Sequence, residues 1–141
     1  STKRLSMEEQ LAMCEHYHIE LDELEKKALK LLHAKTGAAI ARHVYGVDDE
    51  VYQAILYHTT GRANMTLLEK ILYLADYIEP SREFANDPDV VRLRETVYED
   101  LDRGLLLGLT MTVTEMEGMG NPVHHDTLDA RNDLIEKGVT L

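Results

Sequence analysis

The sequence predicts an all-α protein. Apolar residues recur at helical spacing, strand-like alternation is nearly absent, and most apolar segments are bounded by residues that start or stop helices. The chain has 141 residues, of which 44% are hydrophobic, so it can form a core. No repeat or low-complexity linker divides it, and we therefore expect one domain over residues 1–141.

Two helices are predicted in the first third of the chain. Ser6 and Glu9 have the spacing of a capping box, which opens the first helix. The segment LDELEKKALKLLHAKTGAAIARHVYG has apolar residues at helical spacing and predicts the second. We expect a break near Gly37 and an end at Gly46.

The middle of the chain predicts two more helices. One begins at the Asp48–Asp49 pair, and its apolar face ends in His58. The other opens with a second capping box, Thr66 with Glu69, and ends before Pro80.

The last third predicts a long helix and a short one. Asp87-Pro88 has the form of a cap followed by proline at the first helical position, so we expect a helix over residues 89–114. Asp126 is the expected cap of a final helix that stops at Gly138.

Charge and composition exclude several classes of protein. The net charge of −11 argues against a surface that coats nucleic acid, and no apolar run is long enough to cross a bilayer. The single cysteine, Cys14, excludes an internal disulfide framework and fits a reducing compartment. We therefore expect a cytoplasmic protein without nucleic-acid or membrane partners.

Three polar residues lie in otherwise apolar helical segments: His33, His58 and Asp76. Imidazole and carboxylate together suit a divalent transition metal, and helices hold such ligands rigidly. A structural alternative stays open, in which a buried Asp76 pairs with Arg82 and the histidines pack with backbone partners.

Candidate phosphate contacts lie nearby in the sequence. Arginine suits bidentate contacts, whereas lysine acts as a point charge. The candidate cations are Lys3, Arg4, Arg62 and Arg82. His124 and His125 precede a predicted helix N-terminus, whose N–H groups and dipole favour phosphate. The structural alternative there is an Asp126 cap with two exposed histidines.

Three segments together resemble one protein family: LLHAKTGAAIA, AILYHTTGRANMTLLEKILYLADYIEPSR and PVHHDTLDARNDL. They are similar to consecutive blocks of the bacterial HD-domain hydrolases that cut diadenosine tetraphosphate symmetrically. The resemblance spans nearly the whole chain, and the middle block is highly specific. It implies an all-α HD-domain helical bundle.

The resemblance also implies a metal and a set of site residues. Family members bind iron or a similar divalent metal, with manganese, cobalt and magnesium as alternatives, through a first histidine, a His-Asp doublet and a later aspartate that matches Asp76. His33 and His58 are candidates for a second metal. The implied nucleotide contacts are Ser1, Thr2, Lys3, His33, His58, Thr59, Asp76, Arg82, Pro122, Val123, His124, His125, Asp126 and Thr127. His125 departs from the proline usual at its position.

The first metal histidine and the His-Asp doublet have no counterpart in this sequence. The chain begins where the family continues after the doublet, so we expect the C-terminal, larger part of an HD-type domain, lacking about fifty residues. We expect this chain alone to bind metal poorly, hydrolyse nothing measurable and tend to associate.

The expected function is hydrolysis of diadenosine tetraphosphate to two ADP. A metal would activate water for attack near the middle of the phosphate chain, while Arg82 and Lys3 offset the developing charge. Asp76 would be the catalytic metal ligand. Two alternatives are an HD-domain phosphohydrolase for another nucleotide and a non-catalytic nucleotide-binding helical module. A homodimer is left open.

Overall fold

The computed structural model describes residues 2–141 and consists of helices joined by turns, with no strand in this range. The predicted all-α class is confirmed. Among these residues, none of the helices is sufficiently long and apolar to span a membrane. The α-helices are α1 (Met7–His16), α2 (Leu29–Tyr45), α3 (Asp49–Leu56), α4 (Leu67–Ile78), α5 (Pro88–Glu99), α6 (Leu101–Gly118) and α7 (His125–Glu136).

The chain forms two compact units, one ending at Thr59 and the other spanning Thr60–Leu141. In the first unit, α2 packs against α1 and α3. The buried Thr36 hydroxyl joins α2 to α1 through Gln10 Oε1, at 3.0 Å.

The predicted break of α2 near Gly37 is wrong, because the helix continues through this residue. A glycine inside a helix costs about 1 kcal/mol relative to alanine, which tertiary packing readily offsets. A Cβ at Gly37 would lie 3.6 Å from Thr2 Oγ1 and 3.8 Å from Ile55 Cγ2, so the glycine sits in a close contact between elements.

In the second unit, α6 packs against α4, α5 and α7. Its leucines form the centre of a buried apolar cluster that includes Tyr73, Leu74, Leu93, Leu105, Leu106, Leu107, Leu109, Ala130 and Leu134. This core positions α4, whose last turn carries Asp76, and α7, which follows the paired histidines.

The single helix predicted over residues 89–114 is wrong, because α5 and α6 are separated at Asp100. The Asp100 carboxylate accepts a hydrogen bond from Arg103 N at 3.0 Å and starts α6. At Gly104, an added Cβ would lie 2.5 Å from Val97 Cγ2 and 2.8 Å from Val97 Cα. The change of direction between α5 and α6 at Asp100 therefore depends on a close contact with Val97 that only glycine permits at position 104.

Most helix caps match the sequence, but the cap of α7 does not. Both predicted capping boxes form, at Ser6 and at Thr66. Asp126 is not the cap of α7. His124 takes that position, and its Nδ1 accepts a hydrogen bond from Asp126 N at 3.1 Å.

α7 is tied back to the start of its own unit. The Thr127 hydroxyl donates to the Thr60 carbonyl at 2.8 Å. The Asp133 carboxylate accepts from Asn64 N at 3.0 Å, and Lys137 Nζ donates to Asn64 Oδ1 at 2.8 Å. These hydrogen bonds connect residues that are more than 60 positions apart.

Candidate functional site

His33 and His58 come together in the first unit. His33 lies on α2, and its Nε2 is 3.1 Å from His58 Nε2, with ring centroids 5.0 Å apart and an edge-on arrangement. His58 does not end the apolar face of α3 as predicted, because α3 stops at Leu56 and His58 lies in the following turn.

The turn fixes the orientation of the His58 ring. His58 Nδ1 is 2.6 Å from the Ile55 carbonyl oxygen. A carbonyl oxygen only accepts, so Nδ1 carries the hydrogen and donates it. In the neutral ring this leaves the lone pair on Nε2, which faces His33. Metal-bound histidines have the same arrangement, with the second ring nitrogen donating to a carbonyl or carboxylate.

The spacing of the two imidazoles fits a divalent metal. Two histidine nitrogens that each lie about 2.0–2.1 Å from one zinc-like ion are separated by roughly 3 Å. The observed Nε2–Nε2 separation of 3.1 Å is in that range, and it is equally the length of a hydrogen bond between the two rings. The pair therefore supplies two suitably placed nitrogen donors.

Two threonines border this histidine pair. Thr59 directly follows His58, and its buried Oγ1 has no hydrogen-bond partner within residues 2–141. An unsatisfied buried hydroxyl costs about 1–3 kcal/mol, so this atom is suited to a ligand. The buried Thr2 hydroxyl donates to the His33 carbonyl at 3.1 Å. Lys3 is exposed, and Ser1 lies outside the described residues.

Asp76 and Arg82 form an ion pair in the second unit, in which Arg82 Nη2 donates to Asp76 Oδ1. The Asp–Arg pair that the sequence leaves open as the structural alternative is thus present. The expected burial of Asp76 is wrong, since 44% of its side chain is exposed, against 29% for Arg82. α4 turns Tyr73 and Leu74 into the core, which leaves Asp76 on the helix surface.

The segment around the start of α7 brings a second pair of histidines together. His124 is buried, whereas His125 is exposed, and their rings stack at 4.4 Å. His125 Nε2 lies 3.3 Å from Asp126 Oδ1. The structural alternative of two exposed histidines is therefore wrong for His124. The buried Thr127 hydroxyl is engaged by the Thr60 carbonyl. Pro122 is exposed and Val123 is half-buried.

Arg62 has a role that the sequence did not indicate. Its Nε and Nη2 donate to the two carboxylate oxygens of Glu69 at 2.9 and 2.6 Å. Glu69 is fully buried and also completes the capping box of α4. Arg62 therefore holds the turn after Thr60 against α4. From its spacing, Glu69 is predicted only to be a capping residue. Its ion pair with Arg62, seven positions earlier, depends on how the turn between the two residues folds.

Comparison with known proteins identifies the family. The family model of the HD domain matches residues 11–81. Two curated relatives are named "Bis(5'-nucleosyl)-tetraphosphatase, symmetrical". The one from Halalkalibacterium halodurans is 46% identical over 107 residues and the one from Bacillus subtilis 42% identical over 107 residues. Each match covers 75% of this chain and 56% of the relative, so the chain spans about half the length of these relatives.

A solved structure is also similar. It is a crystal structure described as a "predicted HD superfamily hydrolase involved in NAD metabolism" from Clostridium acetobutylicum. The two share 42% sequence identity and superimpose with a TM-score of 0.88, over 96% of this chain and 71% of that one. The expected HD-domain bundle is thereby confirmed. This chain belongs to the HD-domain family.

Proposed function

We propose that the protein is a metal-dependent phosphohydrolase that cleaves diadenosine tetraphosphate symmetrically into two ADP. The observation that carries the proposal is the convergence of His33 Nε2 and His58 Nε2 at 3.1 Å, with the His58 ring fixed by a backbone carbonyl. Support also comes from the HD-domain match and from the names of the two curated relatives.

Asp76 is the proposed metal ligand, and the histidine pair is the candidate for a second metal. A divalent metal, when bound, lowers the pKa of water and polarises a phosphoryl oxygen. His33 and His58 offer their Nε2 atoms, either to a metal or to phosphate oxygens. Asp76 Oδ1 is occupied by Arg82, so Oδ2 is the oxygen that we assign to the metal. HD-domain membership suggests a divalent metal, and iron stays our prediction.

The remaining site residues would bind the polyphosphate. The Arg82 guanidinium has five N–H donors, so it can hold Asp76 and a phosphate at once. The Thr59 hydroxyl, which has no partner in the described chain, is a further proposed substrate contact. The segment from Pro122 to Thr127 would bind anionic oxygens at the N-terminus of α7. A cytoplasmic location and a homodimer also stay predictions.

The test is product analysis with diadenosine tetraphosphate. The chain and the full gene product are each incubated with substrate and Fe²⁺, Mn²⁺, Co²⁺ or Mg²⁺, and nucleotides are separated chromatographically. We expect ADP as the only product of the full gene product and no measurable turnover by the chain alone, whereas asymmetric cleavage would give ATP and AMP. Faster turnover of another nucleotide would assign a different substrate, and metal-independent ADP binding without turnover would indicate a binding module.

Asp76→Ala tests the site itself. In the full gene product, losing a metal ligand should remove most activity and bound metal. Asp102→Ala is the matched control, because Asp102 is equally exposed at 44% and pairs with Lys70 in the same unit. Its variant should retain turnover. If Asp76→Ala keeps its metal and near-normal turnover, the assignment is wrong.

A further inference from the structure

An exposed aromatic ring lies two residues beyond Arg82. Phe84 is the single phenylalanine of the sequence, and 48% of it is exposed. Its ring contacts Tyr77 edge-to-face, with centroids 6.4 Å apart and an interplanar angle of 71°. Tyr77 thus supports one part of the ring, while about half of the residue faces solvent.

The turn that carries Phe84 is held rigidly. Ala85 N donates to the Arg82 carbonyl at 3.0 Å, which closes a turn around the phenylalanine. Arg94 on α5 donates from Nη2 to the Ile78 carbonyl at 3.1 Å and to the Ala85 carbonyl at 3.2 Å. One guanidinium therefore fixes the turn at both ends. An aromatic ring on such a frame loses little freedom when a ligand packs on it.

We propose that the open face of Phe84 stacks on a nucleobase of the substrate. The inference rests on the proposed function, in which Arg82 binds a phosphate. Two residues span at most about 7 Å of chain, so the backbones of Arg82 and Phe84 lie within that distance of each other. In a nucleotide, one ribose separates the base from its phosphate. A phosphate at Arg82 therefore brings its base within reach of Phe84.

This arrangement predicts a definite selectivity. Stacking on an aromatic ring recognises any base, because every base has a π face. Phe84 should favour nucleotides over inorganic polyphosphates and purines over the more weakly stacking pyrimidines. It should discriminate little between adenine and guanine.

A tryptophan reporter tests the contact directly. The sequence has no tryptophan, so Phe84→Trp introduces a single fluorophore at the proposed platform. We expect ADP to quench its emission and pyrophosphate to leave it unchanged. Tyr98→Trp is the matched control, because Tyr98 is an aromatic residue on α5 with 83% exposure. Its emission should respond to neither ligand.

Binding of ADP and pyrophosphate to Phe84→Ala measures the energetic effect. Equilibrium dialysis should show ADP binding weakened roughly five- to tenfold, the lower end of what one stacked base contributes. Pyrophosphate binding should be unchanged, and Phe84→Tyr should restore ADP affinity. Melting curves of the three variants report on folding.

The outcomes separate this inference from the proposed function. If the unmodified chain binds ADP but Phe84→Ala binds it equally well and the Phe84→Trp reporter is silent, stacking is refuted and the hydrolase proposal stands. If the unmodified chain binds neither ADP nor pyrophosphate, both proposals are overturned.

Discussion

Arg82→Lys separates a phosphate contact from a structural ion pair, because it keeps the charge and removes the planar fork. The Asp76–Arg82 pair is 44% and 29% exposed, and pairs with such exposure contribute about 0–1 kcal/mol to stability. For a chain of this length, 1 kcal/mol corresponds to roughly 3–4 °C in Tm. The variant should therefore melt within about 3 °C of the unmodified chain.

Phosphate binding should respond much more strongly. Lysine replaces two parallel N–H contacts with a single point charge, so one charge-assisted hydrogen bond is lost. Such a bond contributes about 1.5–3 kcal/mol, which corresponds to roughly 10- to 150-fold weaker ADP binding.

ADP titration and thermal melting of the same protein samples give both quantities. Arg42→Lys is the control, because Arg42 pairs with Asp49 at the surface of the first unit and has no assigned role in phosphate binding. That variant should keep its ADP affinity. A fall in Tm of more than about 5 °C with unchanged ADP affinity would show that Arg82 is only the structural partner of Asp76.

Three further predictions concern the free energy of unfolding, which is measured by chemical or acid unfolding followed by circular dichroism. Gly104→Ala should destabilise the folded chain by about 1–3 kcal/mol through overpacking against Val97. Gly108→Ala, whose Cβ would make ordinary contacts of 3.5–3.7 Å, should stabilise it by up to about 1 kcal/mol. Equal effects of the two variants would refute the close contact between Gly104 and Val97. Arg62→Met leaves the buried Glu69 carboxylate without its partner and should lower the free energy of unfolding by about 3 kcal/mol. A loss below about 1 kcal/mol would contradict a buried ion pair. The Lys137 ammonium lowers the pKa of Asp133, so this pair stabilises the folded state above about pH 4 and its contribution is lost as the pH falls through the folded pKa. Asp133→Asn should therefore be less stable than the unmodified chain at neutral pH, with a smaller difference below pH 4, and a difference independent of pH would refute the linkage.

Features with local causes could be predicted from the sequence. The capping boxes at Ser6 and Thr66 need residues only three positions apart, and both form as expected. The end of α2 at Gly46 follows from the left-handed backbone there, with φ of +65°. In each case the deciding interaction lies within one turn of the helix.

Features that depend on tertiary contacts could not be predicted. The corner at Asp100 needs the contact between Gly104 and Val97, which no helical periodicity reveals. Likewise, periodicity marked Asp76 as part of an apolar run but did not show on which side of α4 it lies. The capping role of His124 was missed because histidine is not among the residues that usually start helices.

The features of the candidate site likewise fall into those that the sequence predicts and those that depend on tertiary contacts. His33 and His58 were singled out as polar residues in apolar segments, and the structure brings their Nε2 atoms together. The contact with the Ile55 carbonyl, which sets the orientation of the ring, depends on the turn beyond α3. The residue types and the segments that resemble the family thus identify the candidate site residues. The orientation of their side chains is given only by the folded structure.

The hydrogen bonds that tie α7 to Thr60 and Asn64 have a consequence for biosynthesis. A ribosome delivers α7 after all other helices of the second unit, so these long-range bonds form last. Until then, the leucine face of α6 that α7 covers stays open on the nascent chain. A transiently exposed apolar surface of this kind binds chaperones and promotes aggregation. A stall before α7 emerges should therefore leave a chaperone-dependent intermediate, and completion of α7 should release it.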